Sequence, residues 1–315
     1  MYNEVVKIKF IDDFTTKEST KEYCRRLFNS FEKHEVLWQQ DLCTQSRDIL
    51  IPIASEVSGI KMSSQKVTLT ILKKYTSWCV KNGIPDAIEG LIGVSDLGVE
   101  AMKYRTVWSP NELQKYLNDV FEPESEFTID NVYRCYYWLA YGGVKEDDIP
   151  KIKASDVDLE NLEIDYNGSK VIIYREALQA IRNCVKLEYF IIKRNGKPVK
   201  TPRAKSDTIA RSIKGDSSVL SLRVALSRKS SECIKNGKTN LRLSYYRVWL
   251  SGLFYRIRER EEIGEDVSFE DVVSTLISHN IYSSSDGSPI NTSRRNRLIN
   301  ELRGDYDNWK KAKYV

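Results

Sequence analysis

Residues 139–158 read LAYGGVKEDDIPKIKASDVD, where Gly142-Gly143 separates an aromatic helical run from Lys145, Asp148 and an Asp156-Val157-Asp158 step. The question is what chemistry a single cation directly after such a turn, with an acid three residues on, could serve. Other chemistries have little material. His34 and His279 are the only histidines, which leaves almost nothing for a histidine zinc site or a Ser-His-Asp triad. There is no G-x-G-x-x-G and no G-x-x-x-x-G-K-(S/T), arguing against common dinucleotide and P-loop sites. The six cysteines occur singly, as expected of reduced, mostly buried thiols. No metal or other cofactor is expected.

The charge is uneven. Residues 191–260 hold 18 Lys+Arg against four acids, or +14, so the remainder of a +5 chain carries −9. A basic stripe gains affinity for a polyanion by releasing the counterions of phosphates. Within it KRNGKPVKTPRAKSD, rich in Pro and Gly, reads as a mobile basic loop. Lys193, Arg194, Lys197, Lys200, Arg203, Lys205 and, just beyond, Arg211 are the expected nucleic-acid contacts.

The chain has 315 residues, 41% hydrophobic and 30% charged, which suits one large or two medium domains with real cores. The opening MYNEVVKIKFIDDF is interrupted by charge and no 18-residue apolar run exists, so neither secretion nor a membrane span is expected and the predicted location is the cytoplasm. Tyr23, Leu27, Phe28, Phe31 and Val36 fall near one helical face, with Ser19 or Thr20 as cap. Val67, Leu69, Leu72, Tyr75 and Trp78-Cys79 form a second stripe that Gly83 terminates. SRDILIPIASEVSG predicts a short helix interrupted at Pro52, giving a module of four or five helices. VSDLGVEAMKYRT reads as a linker, with the domain boundary near 105. In WSPNEL, Ser109, Pro110 and Glu112 form a helix start with a capping box. FTIDNVYRCYYWLAY predicts a helix whose aromatics pack in a core, base stacking by Tyr136, Tyr137 and Trp138 being the lesser reading. LEIDYNGSKVIIY, with Asn167-Gly168, is the one β-hairpin signalled. EALQAIRNCVKLEYFII, SLRVALSRKSSECIKN, TNLRLSYYRVWLSGLFYRIRERE and SFEDVVSTLIS read as helices.

This order of elements resembles the tyrosine recombinases, the phage-integrase family. The local match is to the pattern T-G-x-R-x-x-(E/D)-(I/L/V)-x-x-(L/I)-x-x-x-D-(I/V). Gly142, Gly143, Lys145, Asp148-Ile149, Ile152 and Asp156-Val157 keep its spacing, with Gly142 in place of the threonine and Lys145 in place of the arginine. The resemblance implies a mainly α fold with a small β-hairpin or three-stranded sheet. A helical, SAM-like core-binding domain would span 1–105 and a mixed α/β catalytic-like domain 106–315.

The resemblance further implies metal-free transesterification by a tyrosine on a DNA phosphodiester, with arginines, a hairpin lysine and histidines stabilising the charge on phosphorus. Lys145 keeps a charge but lacks the planar fork of arginine. Lys170 stands where the hairpin lysine would. The H-x-x-R box falls on TNLRLSYYR, either as Thr239 with Arg242 or as Ser244 with Arg247, without a histidine in either alignment. Ile277-Ser278-His279 matches the L-G-H step faintly. The tyrosine expected nine residues on is Ser288, with Tyr282 early and Tyr306 late, and Tyr306 is the first choice of nucleophile. The expectation is an integrase-like protein that binds double-stranded DNA, as a monomer or as a homo-oligomer, and cleaves it poorly or not at all. A working recombinase and a helical module meeting acidic protein or RNA are the alternatives.

Overall fold

The computed structural model describes residues 1–58, 60, 62–89, 94–121, 127–279, 282 and 289–313. It divides into two compact units, Met1–Lys103 with Ser293–Val315, and Tyr104–Thr292.

The first unit opens with α1 (Glu4–Phe14), α2 (Glu18–Trp38), α3 (Arg47–Ser58), α4 (Met62–Lys81) and α5 (Val94–Arg105), the last as far as Lys103. In α2 the stripe Cys24, Leu27, Phe28 and Phe31 is buried at helical spacing, whereas Val36 is exposed. Lys17 occupies the N-cap position, so Ser19 and Thr20 lie inside the first turn. In α4, Leu69, Leu72, Tyr75 and Cys79 face the core and Val67 does not. The rings of Phe10, Phe28 and Tyr75 pack mutually at centroid distances of 5.0–6.0 Å. Two expectations are corrected. Pro52 sits inside a continuous α3, and the stretch read as a linker is the helix α5, which buries Leu97, Ala101 and Met102.

The second unit contains α6 (Pro110–Val120), α7 (Asp130–Gly142), β1 (Val157–Asp158), β2 (Glu163–Tyr166), β3 (Ser169–Ile172), α8 (Leu178–Lys186), β4 (Tyr189–Arg194) and β5 (Lys197–Pro202). It continues through α9 (Val219–Lys235), α10 (Tyr245–Glu262) and α11 (Phe269–Ser278). At the start of α6 the Ser109 hydroxyl accepts from Glu112 N at 3.3 Å, and the Glu112 carboxylate accepts from Trp108 N at 2.8 Å. Strands β1-β2-β3 form an antiparallel sheet in that order. At its hairpin turn Asn167 and Gly168 take φ of 52° and 76°, the left-handed pair a two-residue turn requires.

The basic loop expected at 193–207 is instead largely a second hairpin, β4-β5, turning at Asn195-Gly196 with φ of 50° and 78°. The helix expected through residue 192 therefore ends at Lys186. Pro198 and Pro202 fit because β5 pairs on one side alone. The last helix, α12 (Thr292–Ala312), belongs from Ser293 onward to the first unit, where it buries Ile299, Leu302, Tyr306 and Trp309. Mainly helical units with small antiparallel sheets are thus the observed architecture. Among the described residues, no helix is long and apolar enough to cross a membrane.

The first unit encloses an ionic cluster. Lys7 and Glu35 are both fully buried and paired, and Asp41 lies 3.8 Å from the Lys7 ammonium. Tyr75 OH donates to both Asp41 oxygens at 2.9 and 3.0 Å, and Leu42 N donates to Glu35 at 2.9 Å. Burial raises the Glu35 carboxyl above its ordinary range, with Lys7 opposing that rise. Removing the cation would leave two buried carboxylates facing each other. Lys7→Met should therefore cost about 3–5 kcal/mol in chemical denaturation. A loss below about 1 kcal/mol would mean that the pair contributes no more than a surface salt bridge.

Candidate phosphate-binding cleft

The glycine turn is built by hydrogen bonding. Gly143 adopts φ of 106°, a conformation that L side chains rarely take, and its N–H closes α7 on Leu139 and Ala140. The chain leaving the turn is held from two sides. Tyr245 OH donates to Val144 O at 2.8 Å, and Lys145 N donates to the Tyr166 hydroxyl at 3.1 Å. Tyr166 in turn donates to Asp148 at 2.8 Å, which ties the acid of the 139–158 stretch to β2. Burial would raise the Asp148 carboxyl, but the hydrogen bonds from Lys151 and Tyr166 bring it below the usual range. Ile149 and Ile152 anchor the same stretch in the core. Lys145 is left half-buried, its backbone clamped by tyrosines from β2 and α10.

Beside this turn, α7, α9 and the start of α10 enclose a cavity of about 660 Å³. Its cations are Arg223 and Lys235 from α9, Arg242 from the preceding loop and Arg247 from α10. Among the described residues lining it there is no carboxylate. Tyr136, Tyr137, Leu226 and Leu243 form its buried floor, and Ser227, Ser230, Ser231 and Ser244 add hydroxyls. Arg242 and Arg247, the two alternative box arginines, both enter. The Arg247 guanidinium donates to the carbonyl of Arg242, and burial followed by the charge of Arg242 lowers it from its ordinary value. Two guanidinium groups beside neutral donors can bind a phosphate through charge-assisted hydrogen bonds.

The helices that carry this cleft touch backbone to backbone. A Cβ on Gly252 would lie 1.9 Å from the Tyr141 carbonyl oxygen, so α10 meets the end of α7 where a larger residue has no room. The preceding residue, the fully buried Ser251, donates to Arg247 O at 2.7 Å and accepts from Val107 N at 3.1 Å.

The other residues expected in the site lie elsewhere. Lys170 pairs with Asp165 at 2.8 Å and Glu163 at 3.7 Å on the exposed face of the β2-β3 hairpin, opposite the face that carries Tyr166. Tyr306 is buried in the first unit, stacked on Trp309 at 5.9 Å, so its hydroxyl is not presented to a substrate in this state. Ser288 lies outside the described residues.

Of the expected nucleic-acid contacts, Lys193 falls in the β4 ladder, while Arg194, Lys197 and Lys205 are exposed. The Lys200 ammonium sits 3.7 Å from the Tyr189 ring centre, and Arg211 donates to Ser206 O at 2.8 Å. Arg203 is a correction. Only 6% exposed, its guanidinium donates to the carbonyls of Asn183, Cys184, Leu187 and Ile209, so it is a structural tie without a donor face for phosphate. Arg223, Lys235 and the α9 serines were not expected. Their signal was present, since Arg223, Ser227, Ser230 or Ser231, and Ile234 recur at helical spacing along one face. The aromatics of α7 are core residues, as the sequence favoured: Tyr136, Tyr137 and Trp138 are each at most 2% exposed.

Residues 1–81 match the family described as MrpR, N-terminal core-binding domain. The match covers α1 to α4. Among solved structures, the chain is similar to the Tn1549 transposon integrase in complex with a circular intermediate DNA. That likeness has 12% identity over 90% of this chain and 96% of the other, with a TM-score of 0.38. No curated protein matches the chain.

The Gly252 approach generates a prediction. Gly252→Ala forces α10 away from Tyr141 and should destabilise the protein by about 3 kcal/mol, the upper range for overpacking. Chemical denaturation measures it, and a change within about 0.5 kcal/mol would show that the two helices can separate without cost.

Proposed function

We propose that the chain is an integrase-type protein that binds double-stranded DNA, takes a backbone phosphate at Arg242 and Arg247, and cleaves DNA weakly or not at all. The observation that carries this reading is the convergence of both box arginines, with Arg223 and Lys235, on one cleft. The match of residues 1–81 to a core-binding family supports it, and so does the exposed basic β4-β5 hairpin with Arg194 and Lys197 at its turn.

The weak-cleavage part rests on three departures. Lys145 can offer a point charge but not a bidentate fork. No histidine occurs between His34 and His279 to share the proton transfers. Tyr306, the nucleophile of first choice, is packed in the core of the first unit.

Arg242→Ala and Arg247→Ala should each weaken duplex binding by roughly tenfold or more, the magnitude of a charge-assisted hydrogen bond. Gel-shift titration at several salt concentrations should also show a shallower salt dependence for each variant, because one phosphate contact fewer releases fewer counterions. An unchanged dissociation constant for both variants would place the DNA elsewhere. With a nicked suicide substrate no covalent protein–DNA band is expected. A band that disappears in Tyr306→Phe would establish an active recombinase instead.

A further inference from the structure

Arg223, one of the cations of the cleft, already holds an anion. Its Nε donates to Glu146 Oε1 at 2.6 Å and its Nη2 to Oε2, the fork-on-carboxylate arrangement that guanidinium also uses for phosphate. Glu146 follows Lys145 directly and accepts a third hydrogen bond, from the buried Tyr136 hydroxyl on the cleft floor. The carboxylate is the inner partner, with its side chain 12% exposed, while Arg223 is 57% exposed and reaches the cleft from α9. Burial by itself would raise the Glu146 carboxyl, but the Arg223 and Tyr136 hydrogen bonds bring it below the ordinary range, so it is an anion at neutral pH.

We propose that Glu146 is an internal competitor for Arg223, occupying that guanidinium in the DNA-free protein and thereby limiting the affinity of the cleft for phosphate. The inference rests on the reading of the cleft as a phosphate site and adds a residue that sets its strength. A phosphate entering beside Arg242 and Arg247 meets Arg223 already paired bidentately, with a fixed negative charge behind it. Replacing the carboxylate by the isosteric amide removes that charge, leaves an acceptor for Tyr136 and frees the fork to turn to the incoming anion.

The test is a double-mutant cycle on duplex DNA of mixed sequence, read by titration across a range of salt concentrations, with inorganic phosphate as competitor. Glu146→Gln should tighten duplex binding by roughly three- to tenfold, the size expected on removing a like charge near a solvated anion. Its salt dependence should steepen by about 0.9 in the log–log slope, one added phosphate contact, and less inorganic phosphate should be needed to compete. In an Arg223→Ala background the same substitution should change nothing. Glu146→Ala, which also gives up the Tyr136 hydrogen bond, provides a second variant if the amide form folds poorly.

Weaker binding by Glu146→Gln would overturn the proposal, because it would make the carboxylate a positioning group for Arg223. A gain that persists without Arg223 would overturn it too, by reducing the effect to a general change in charge. If Arg242→Ala and Arg247→Ala weaken binding while the cycle is flat, only this inference fails. If all of these variants bind as the parent does, the phosphate reading of the cleft fails with it.

Discussion

The backbone contact between Gly252 and Tyr141 is the constraint on which the cleft depends. It fixes the C-terminal end of α7, from which the Gly142-Gly143 turn and Lys145 depart, against the middle of α10, whose first turn carries Arg247. Three hydrogen bonds extend the same packing outward. Tyr245 reaches back to Val144 O, and Ser251 links Arg247 O to Val107 N. Backbone packing of this kind sets where the turn and Arg247 stand, so that Arg242 and Arg247 share one cavity with Arg223 and Lys235.

Arginine and lysine serve two opposite purposes in this chain. Arg203 sits in the most basic segment of the sequence, yet its guanidinium is buried, donates to four backbone carbonyls and lies over the Phe190 ring, its central carbon 5.2 Å from the ring centre. Lys7 is likewise consumed in a buried cluster with Glu35 and Asp41. Net charge over a window therefore measures attraction for a polyanion, while burial and hydrogen bonding decide which individual cations can deliver it. Arg194 and Lys197 at the β4-β5 turn remain open to solvent, and Arg203 does not.

Much of the fold could be read from periodicity because long helices with one apolar face leave a strong pattern. The α2 and α4 stripes, apart from the exposed Val36 and Val67, the Ser109 start of α6 and the Asn167-Gly168 hairpin took the predicted form. The failures have definite causes. The Asn195-Gly196 pair carried the same turn signal as Asn167-Gly168 but was masked by flanking lysines and prolines that read as loop. The helix α5 was taken for a linker, although Leu97, Ala101 and Met102 have helical spacing, because Gly98 and the charges around it dilute the stripe. In the site, one arginine alignment had to be chosen over the other only if a single box position exists, and the cavity admits both. Tertiary placement decided the rest. The Asn167-Gly168 turn already sets Lys170 opposite Asp165, but no local pattern tells that α12 packs Tyr306 into the first unit.

Binding and cleavage ask different things of such a cleft. Holding a backbone phosphate in its ground state requires positive charge at roughly the right place, which lysine supplies as well as arginine and which salt screens smoothly. Accelerating displacement at phosphorus requires donors aimed at oxygens that bear their charge only in the transition state, where losing one preorganised donor costs about 10²–10³ in rate. Losing a general acid–base group costs about 10²–10⁴. If the cleft is a recombinase-type site, as proposed, Lys145 in place of an arginine and a box without histidine would bear almost entirely on the chemical step. Under the proposed reading, the packing at Gly252, the tyrosine clamps on the turn and the convergence of Arg242 with Arg247 are what duplex binding still requires. The groups missing are those that only the reaction would have used.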